Sequence, residues 1–194
     1  MPATPSDPSV PLEQHLPYLR VLAELELGLS DPLRRRVDPS DVVQETLLKA
    51  RLAVDKDPGR FAEISGDRRM AWLRKILVNT LANLRRDHRA ARRDLRRERA
   101  LQARVDESSV RLVSLAVSRE PSPSQCAIRE ESVRQVATAL LRLPPDQRRA
   151  VILQRLRGLP IATIAEDLGR SKDAVAGLIR RGLERLESEL GETA

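Results

Sequence analysis

Aromatic side chains are almost missing from this chain. Phe, Trp and Tyr occur once each and make up 2% of its 194 residues. The core must therefore be filled by Leu, Ile, Val and Ala, a set that suits helices better than sheets. Cysteine is nearly absent too: Cys126 stands alone, which excludes an internal disulfide. The two histidines, His15 and His88, are far apart, and no residues show metal-ligand spacing. No metal and no cofactor is expected. No apolar run approaches the roughly 20 residues that span a bilayer. The opening MPATPSDPSVP (1–11) has no charged-then-apolar signal pattern and is read as a disordered tail. No phosphate-binding glycine loop, paired carboxylates or nucleophile–base pair stands out, so no catalytic residue is expected. These absences point to a cytoplasmic, non-enzymatic, all-α protein.

What the chain does have is positive charge, and that charge is local. The formal net charge is +7, and only Lys49, Lys56, Lys75 and Lys172 among the 35 basic residues are lysine. Residues 85–104 hold nine arginines against Asp87, Asp94 and Glu98. A block of that kind meets phosphate or is a solvated helix face.

Period and punctuation divide the rest. Residues 12–29 carry Leu16, Leu19, Leu22, Ala23 and Leu27 at helical spacing, closed by Gly28, Ser30 and Pro32. In SDPLRRRVDPSDVVQETLLKAR (30–51), Asp38 is an N-cap, Pro39 takes the first helical position and Asp41 the capping-box position. Val43, Leu47, Ala50 and Val54 form one side of that helix. Asp41, Gln44, Glu45 and Leu48 form the other, an acidic face with a leucine in a basic protein. Residues 55–67 read as a loop or as containing a short helix. From Arg68 past Arg97 there is no helix breaker. Trp72, Leu73, Ile76, Leu77, Thr80, Leu81 and Leu84 make an apolar stripe, with Trp72 read as core. Arg85, Arg89, Arg92, Arg96 and Arg99 then follow at spacings of three and four, as on one helix face. Residues 105–126, with serines, Pro121 and Pro123, read as a flexible linker. The expected organisation is two small helical domains, 12–104 and 127–194.

The second domain ends in a helix-turn-helix pattern. Residues 161–168 form a short helix, Gly169 supplies a turn with positive φ, and Ser171 caps a longer helix. Lys172, Asp173, Ala176, Gly177 and Arg180 face outward from its first turns, where a recognition helix meets base edges. Arg170, Arg181 and Arg185 reach phosphates. On spacing alone, any small bundle with a glycine turn remains open.

The stretch LPPDQRRAVILQRLRGLPIATIAEDLGRSKDAVAGLIRRGLERL closely resembles region four of the extracytoplasmic-function sigma factors of bacterial RNA polymerase. DPSDVVQETLLKA and MAWLRKILVNTLANLRRDHR resemble that family's region two. The resemblance implies a dissociable polymerase subunit, monomeric when free, that binds core RNA polymerase and reads and helps melt promoter DNA. It implies polymerase docking through Asp41, Gln44, Glu45 and Leu48. It places Lys75, Asn79, Asn83, Arg85, Arg86 and Arg89 on the minus-ten element, with the loop around Phe61 near a flipped base. It places Arg170, Ser171, Lys172, Asp173, Ala176, Gly177, Arg180 and Arg181 on the minus-thirty-five element. The family often has Lys and Ser where Ala176 and Gly177 stand, and Arg at Leu178, so fewer long side chains reach bases here. An anti-sigma partner is common in such proteins. The alternative is a free-standing dimeric helix-turn-helix regulator, which gives the acidic face no role.

Overall fold

The computed structural model describes residues 12–28, 37–57, 64, 66–89, 95–117 and 126–191. Among these, helices joined by short turns are the only regular structure. A 3-10 turn, Leu12–His15, leads into α1 (Leu16–Gly28). Then follow α2 (Pro39–Lys56), α3 (Gly66–Arg89), α4 (Leu95–Val117), α5 (Cys126–Arg142), α6 (Pro145–Arg155), α7 (Ile161–Leu168) and α8 (Lys172–Gly191). The tail 1–11 and the loop around Phe61 lie outside the described residues.

Local chemistry accounts for the helix ends. Asp38 is the N-cap of α2, its carboxylate accepting the Ser40 N–H at 2.6 Å, with Pro39 at the first helical position. That hydrogen bond holds the Asp38 carboxyl below the ordinary range. The Pro144–Pro145 pair separates α5 from α6. Gly169 closes α7 at φ 62°, ψ 38°, a conformation that costs glycine nothing.

Two expectations need correction. Residues 105–117, read as linker, continue α4 instead. The inward positions of α4 include Leu101, Val105, Ser108, Ser109 and Leu112. The serines interrupt the apolar period there, yet both are buried, and Ser109 is satisfied by the Tyr18 hydroxyl at 2.8 Å and by Arg74 at 3.2 Å. Burial pushes the Tyr18 phenol up. Arg74 completes this polar patch, donating to the Tyr18 hydroxyl at 3.0 Å and to Asp106 at 2.9 Å. The second correction concerns the arginine stripe. Arg85 and Arg89 end one helix, while Arg96 and Arg99 begin another. The ion pairs Arg74–Asp106 and Arg86–Glu98 set α3 and α4 antiparallel. No single helix face carries the run.

The apolar faces meet in one core. It contains Leu19, Leu22, Leu25, Val43, Leu73, Leu77, Leu81, Val105 and Leu112 from the first four helices. Val136, Leu140, Val151, Leu153, Ile164, Val175 and Ile179 continue it into the last four. Trp72 packs against this core, partly buried. Helix α5 touches α1, α3 and α4 on one side and α8 on the other. Helices α6 and α8 pack tightly at Gly182, where a methyl group would meet the Val151 Cγ2 at 2.7 Å.

Candidate nucleic-acid interface

The C-terminal surface is built by α7, the turn at 169–171 and α8. Ile164 and Ala165 of α7, and Val175, Ile179 and Leu186 of α8, are buried. The helices are thus fixed by apolar contact before any ligand arrives. An ion pair between Arg149 and Asp167 at 2.6 Å, largely shielded, ties α6 to α7. The Ser171 hydroxyl accepts the Ala174 N–H at 3.2 Å and caps α8. This leaves Lys172, Asp173, Ala176 and Arg180 exposed along one face of the helix. Arg170 and Arg181 are exposed beside it. Gly177 is partly buried, and a methyl there would meet only the tip of Arg181.

The charged groups of this face have partners that solvent can replace. Arg180 pairs with Glu184 at 3.0 Å, one turn along the same exposed helix. Arg170 pairs with Asp146. Exposed pairs of this kind contribute little, about 0–1 kcal/mol. A phosphate can displace the carboxylates with small loss. The geometry is that of a helix with a short-side-chain centre (Ala176, Gly177) flanked by cations, suited to close backbone approach in a groove.

Residues 133–186 match the family model for sigma-70, region 4.

The matched segment runs from within α5 to within α8 and contains α7, the turn at 169–171 and α8 as far as Leu186. It supports a sigma-factor or DNA-binding role in transcription. No curated protein matches the chain.

Outside the region 4 segment, the remaining candidate residues fall on two helices. On α2, Asp41, Gln44 and Leu48 are exposed, Leu48 at 60%. Glu45 is half-buried and paired with Lys49 at 2.6 Å. Val42, Val43, Thr46 and Ala50 are buried behind them. Leu52, one turn beyond Leu48, is exposed at 61% and extends the apolar strip. Sequence spacing could have flagged it, since i and i+4 share a face.

On α3, Lys75 and Asn79 are exposed one turn apart. The Lys49 ammonium reaches the Thr80 hydroxyl at 3.3 Å, so this surface adjoins the α2 face. The other candidates on α3 are more engaged than sequence suggested. Asn83 accepts a hydrogen bond from Arg86, which also lies 3.9 Å from Glu98. Arg85 donates to the Glu26 main-chain oxygen at 3.1 Å and sits 3.8 Å from its carboxylate. The Arg89 side chain lies outside the described residues. Arg85 and Arg86 thus spend charge inside the fold, and Lys75 with Asn79 form the open part of this surface.

Among the described residues, no group of His, Cys, Asp or Glu could hold a metal ion. No described helix is long and apolar enough to cross a membrane.

Proposed function

We propose that the protein is a sigma factor of the extracytoplasmic-function type. It binds core RNA polymerase in the cytoplasm, directs it to promoters and performs no chemistry itself. The match of residues 133–186 to sigma-70 region 4 carries the assignment. The exposed Asp41, Gln44, Leu48 and Leu52 face of α2 adds to it. Carboxylates and an amide engage Arg and Lys of a partner helix, and two leucines supply apolar area at the centre. Two exposed leucines beside a carboxylate have no counterpart on a phosphate backbone, so the occupant is protein.

In this scheme the α8 face contacts the minus-thirty-five element. Arg170 and Arg181 hold phosphates, while Lys172, Asp173 and Arg180 lie over base edges. Lys75 and Asn79 serve the minus-ten element, where exposed bases and backbone need polar and cationic contacts. The test is co-purification with bacterial core RNA polymerase followed by run-off transcription from a genomic promoter library. Start-site-specific transcripts that depend on the added protein are expected. A protein that ignores the polymerase and binds palindromic DNA as a dimer refutes the assignment and makes it a free-standing regulator.

A further inference from the structure

Helix α4 sorts its charges onto two edges. Its acids turn toward α3: Glu98 lies 3.9 Å from Arg86, and Asp106 accepts from Arg74 at 2.9 Å. Its arginines lie along the opposite edge. Arg104 reaches Glu26 of α1 at 3.3 Å, and the guanidinium of Arg111 lies over Gly158, just past α6. Arg97 shares that edge, because residues seven apart drift by only about 20° around a helix. Arg97 and Arg104 are exposed and Arg111 partly so. Steps of seven residues set the three about 10.5 Å apart, along about 21 Å of one line. Leu101, Val105 and Leu112 anchor α4 in the continuous core, so the line is held straight without a ligand.

The carboxylates near this edge do not use up its charge. Glu26 takes Arg157 at 2.7 Å and has Arg85 within 3.8 Å, so Arg104 is additional to its needs. The Arg104 side chain stays 45% exposed. Arg111 pairs with Glu107 at 2.7 Å, but that pair is open to solvent and easily exchanged. Arg96 and Arg97 also stand in the first turn of α4, where the helix dipole disfavours cations. Helix stability does not account for this placement, and a bound anion does.

The chemistry selects the anion. Guanidinium groups pair with phosphate oxygens in forked hydrogen bonds. Their spacing of about 10.5 Å is close to the rise of three base pairs along a duplex, about 10.2 Å. Single strands are held by aromatic stacking as well as by charge. No described aromatic serves here, since Tyr18 is buried and Trp72 packs against the core. Ala100, exposed between Arg97 and Arg104, is too short to reach a base edge. The edge ends over Gly158, shortly before α7, and so adjoins the helix-turn-helix.

We propose that the Arg97–Arg104–Arg111 edge of α4 is a third DNA-binding surface, which holds the phosphate backbone of duplex DNA without reading its sequence. It is separate from the candidate surfaces of α3 and α8. It gives a role to the end of the arginine run, which neither of those surfaces uses.

The test measures binding of the full chain to a random-sequence duplex by fluorescence anisotropy across a salt series. The logarithm of affinity falls against the logarithm of salt with a slope of about 0.9 per phosphate neutralised. Arg97→Gln with Arg104→Gln and Arg111→Gln should therefore reduce that slope by about 2–3. Between about 50 and 200 mM salt the wild type should lose about 40-fold more affinity than the variant does. The same difference should appear when both proteins also carry Lys172→Ala and Arg180→Ala, because separate surfaces contribute additively. A photo-crosslinker on Ala100→Cys, in the chain carrying Cys126→Ser, should label the duplex, while one on the exposed Ala53→Cys of α2 should not. Circular dichroism checks that helicity is kept. If the triple variant loses helicity, Arg97→Gln with Arg104→Gln decides the question, with a slope change of about 2. Equal slopes for wild type and variant overturn the proposal. So does a loss confined to single-stranded DNA of the same sequence, or labelling from Ala53→Cys as strong as from Ala100→Cys. Neither polymerase nor promoter sequence enters the test, so the sigma-factor assignment and this surface are judged separately.

Discussion

Two glycines of α8 should respond to the same substitution with opposite sign. Replacing glycine by alanine inside a helix recovers about 1 kcal/mol of helix propensity at either position. At Gly177 the added methyl meets only the Nη1 of Arg181, at 3.1 Å, and that exposed side chain can swing away. The gain survives, and Gly177→Ala should stabilise by about 0.5–1 kcal/mol. At Gly182 the methyl would sit 2.7 Å from the Val151 Cγ2 and 3.4 Å from the Gln147 Cβ. Val151 is fully buried against α8 and has no room to retreat. Overpacking of this kind costs about 1–3 kcal/mol, which outweighs the propensity term. For a chain of this size each kcal/mol moves the Tm by about 2–4 °C. Thermal unfolding followed by circular dichroism should therefore place Gly177→Ala above the wild type and Gly182→Ala below it. Val151→Ala should rescue part of the Gly182→Ala loss, because the two sites are in contact. If both alanines raise the Tm equally, α6 and α8 do not approach at Gly182 as described.

Asp41→Arg with Glu45→Arg should abolish polymerase binding while the circular-dichroism spectrum stays native, since Asp41 is exposed and the Glu45–Lys49 pair is worth little; unchanged affinity refutes the docking face. Lys172→Ala with Arg180→Ala should lower transcription chiefly through the upstream element, and an equal response of wild type and variant to upstream-element mutations would refute the readers. Asp38→Ala should cost about 1 kcal/mol by removing the α2 cap. Because the folded Asp38 carboxyl titrates below its ordinary value of about 3.9, that advantage should hold above this pH and fade as pH falls through and below it. His15 carries the same sign for a different reason. Burial, with Arg69 nearby, lowers its pKa to about 4, although the Glu130 carboxylate stands 3.1 Å away. The unfolded chain takes up the proton near the ordinary value of about 6.5, so stability should drop as pH falls from there to about 4. His15→Gln should flatten that slope in urea titrations, and an unchanged slope would show that His15 is not its source.

The sequence by itself determined whatever depends on near neighbours. The Asp38–Pro39 start of α2, the Pro144–Pro145 break, the left-handed Gly169 and the Ser171 cap all act within four residues, and each stands where its chemistry placed it. The all-α class followed from helical periodicity with almost no aromatics to fill a sheet core. The helix-turn-helix was legible for the same reason, as were the outward positions Asp41, Gln44 and Leu48. Tertiary structure decided what depends on partners far along the chain. The second half of α4 was hidden because Ser108 and Ser109 break the apolar period, and the partners that satisfy Ser109 there, Tyr18 and Arg74, lie 91 and 35 residues away. Arg85 looked like a DNA contact until Glu26 was found beneath it. Nothing local links Glu26 to Arg157, 131 residues away. With 35 basic and 28 acidic residues, spacing alone cannot choose among the pairings. Burial can, because a carboxylate removed from water must be met by cations, and the fold determines which arginines can reach it.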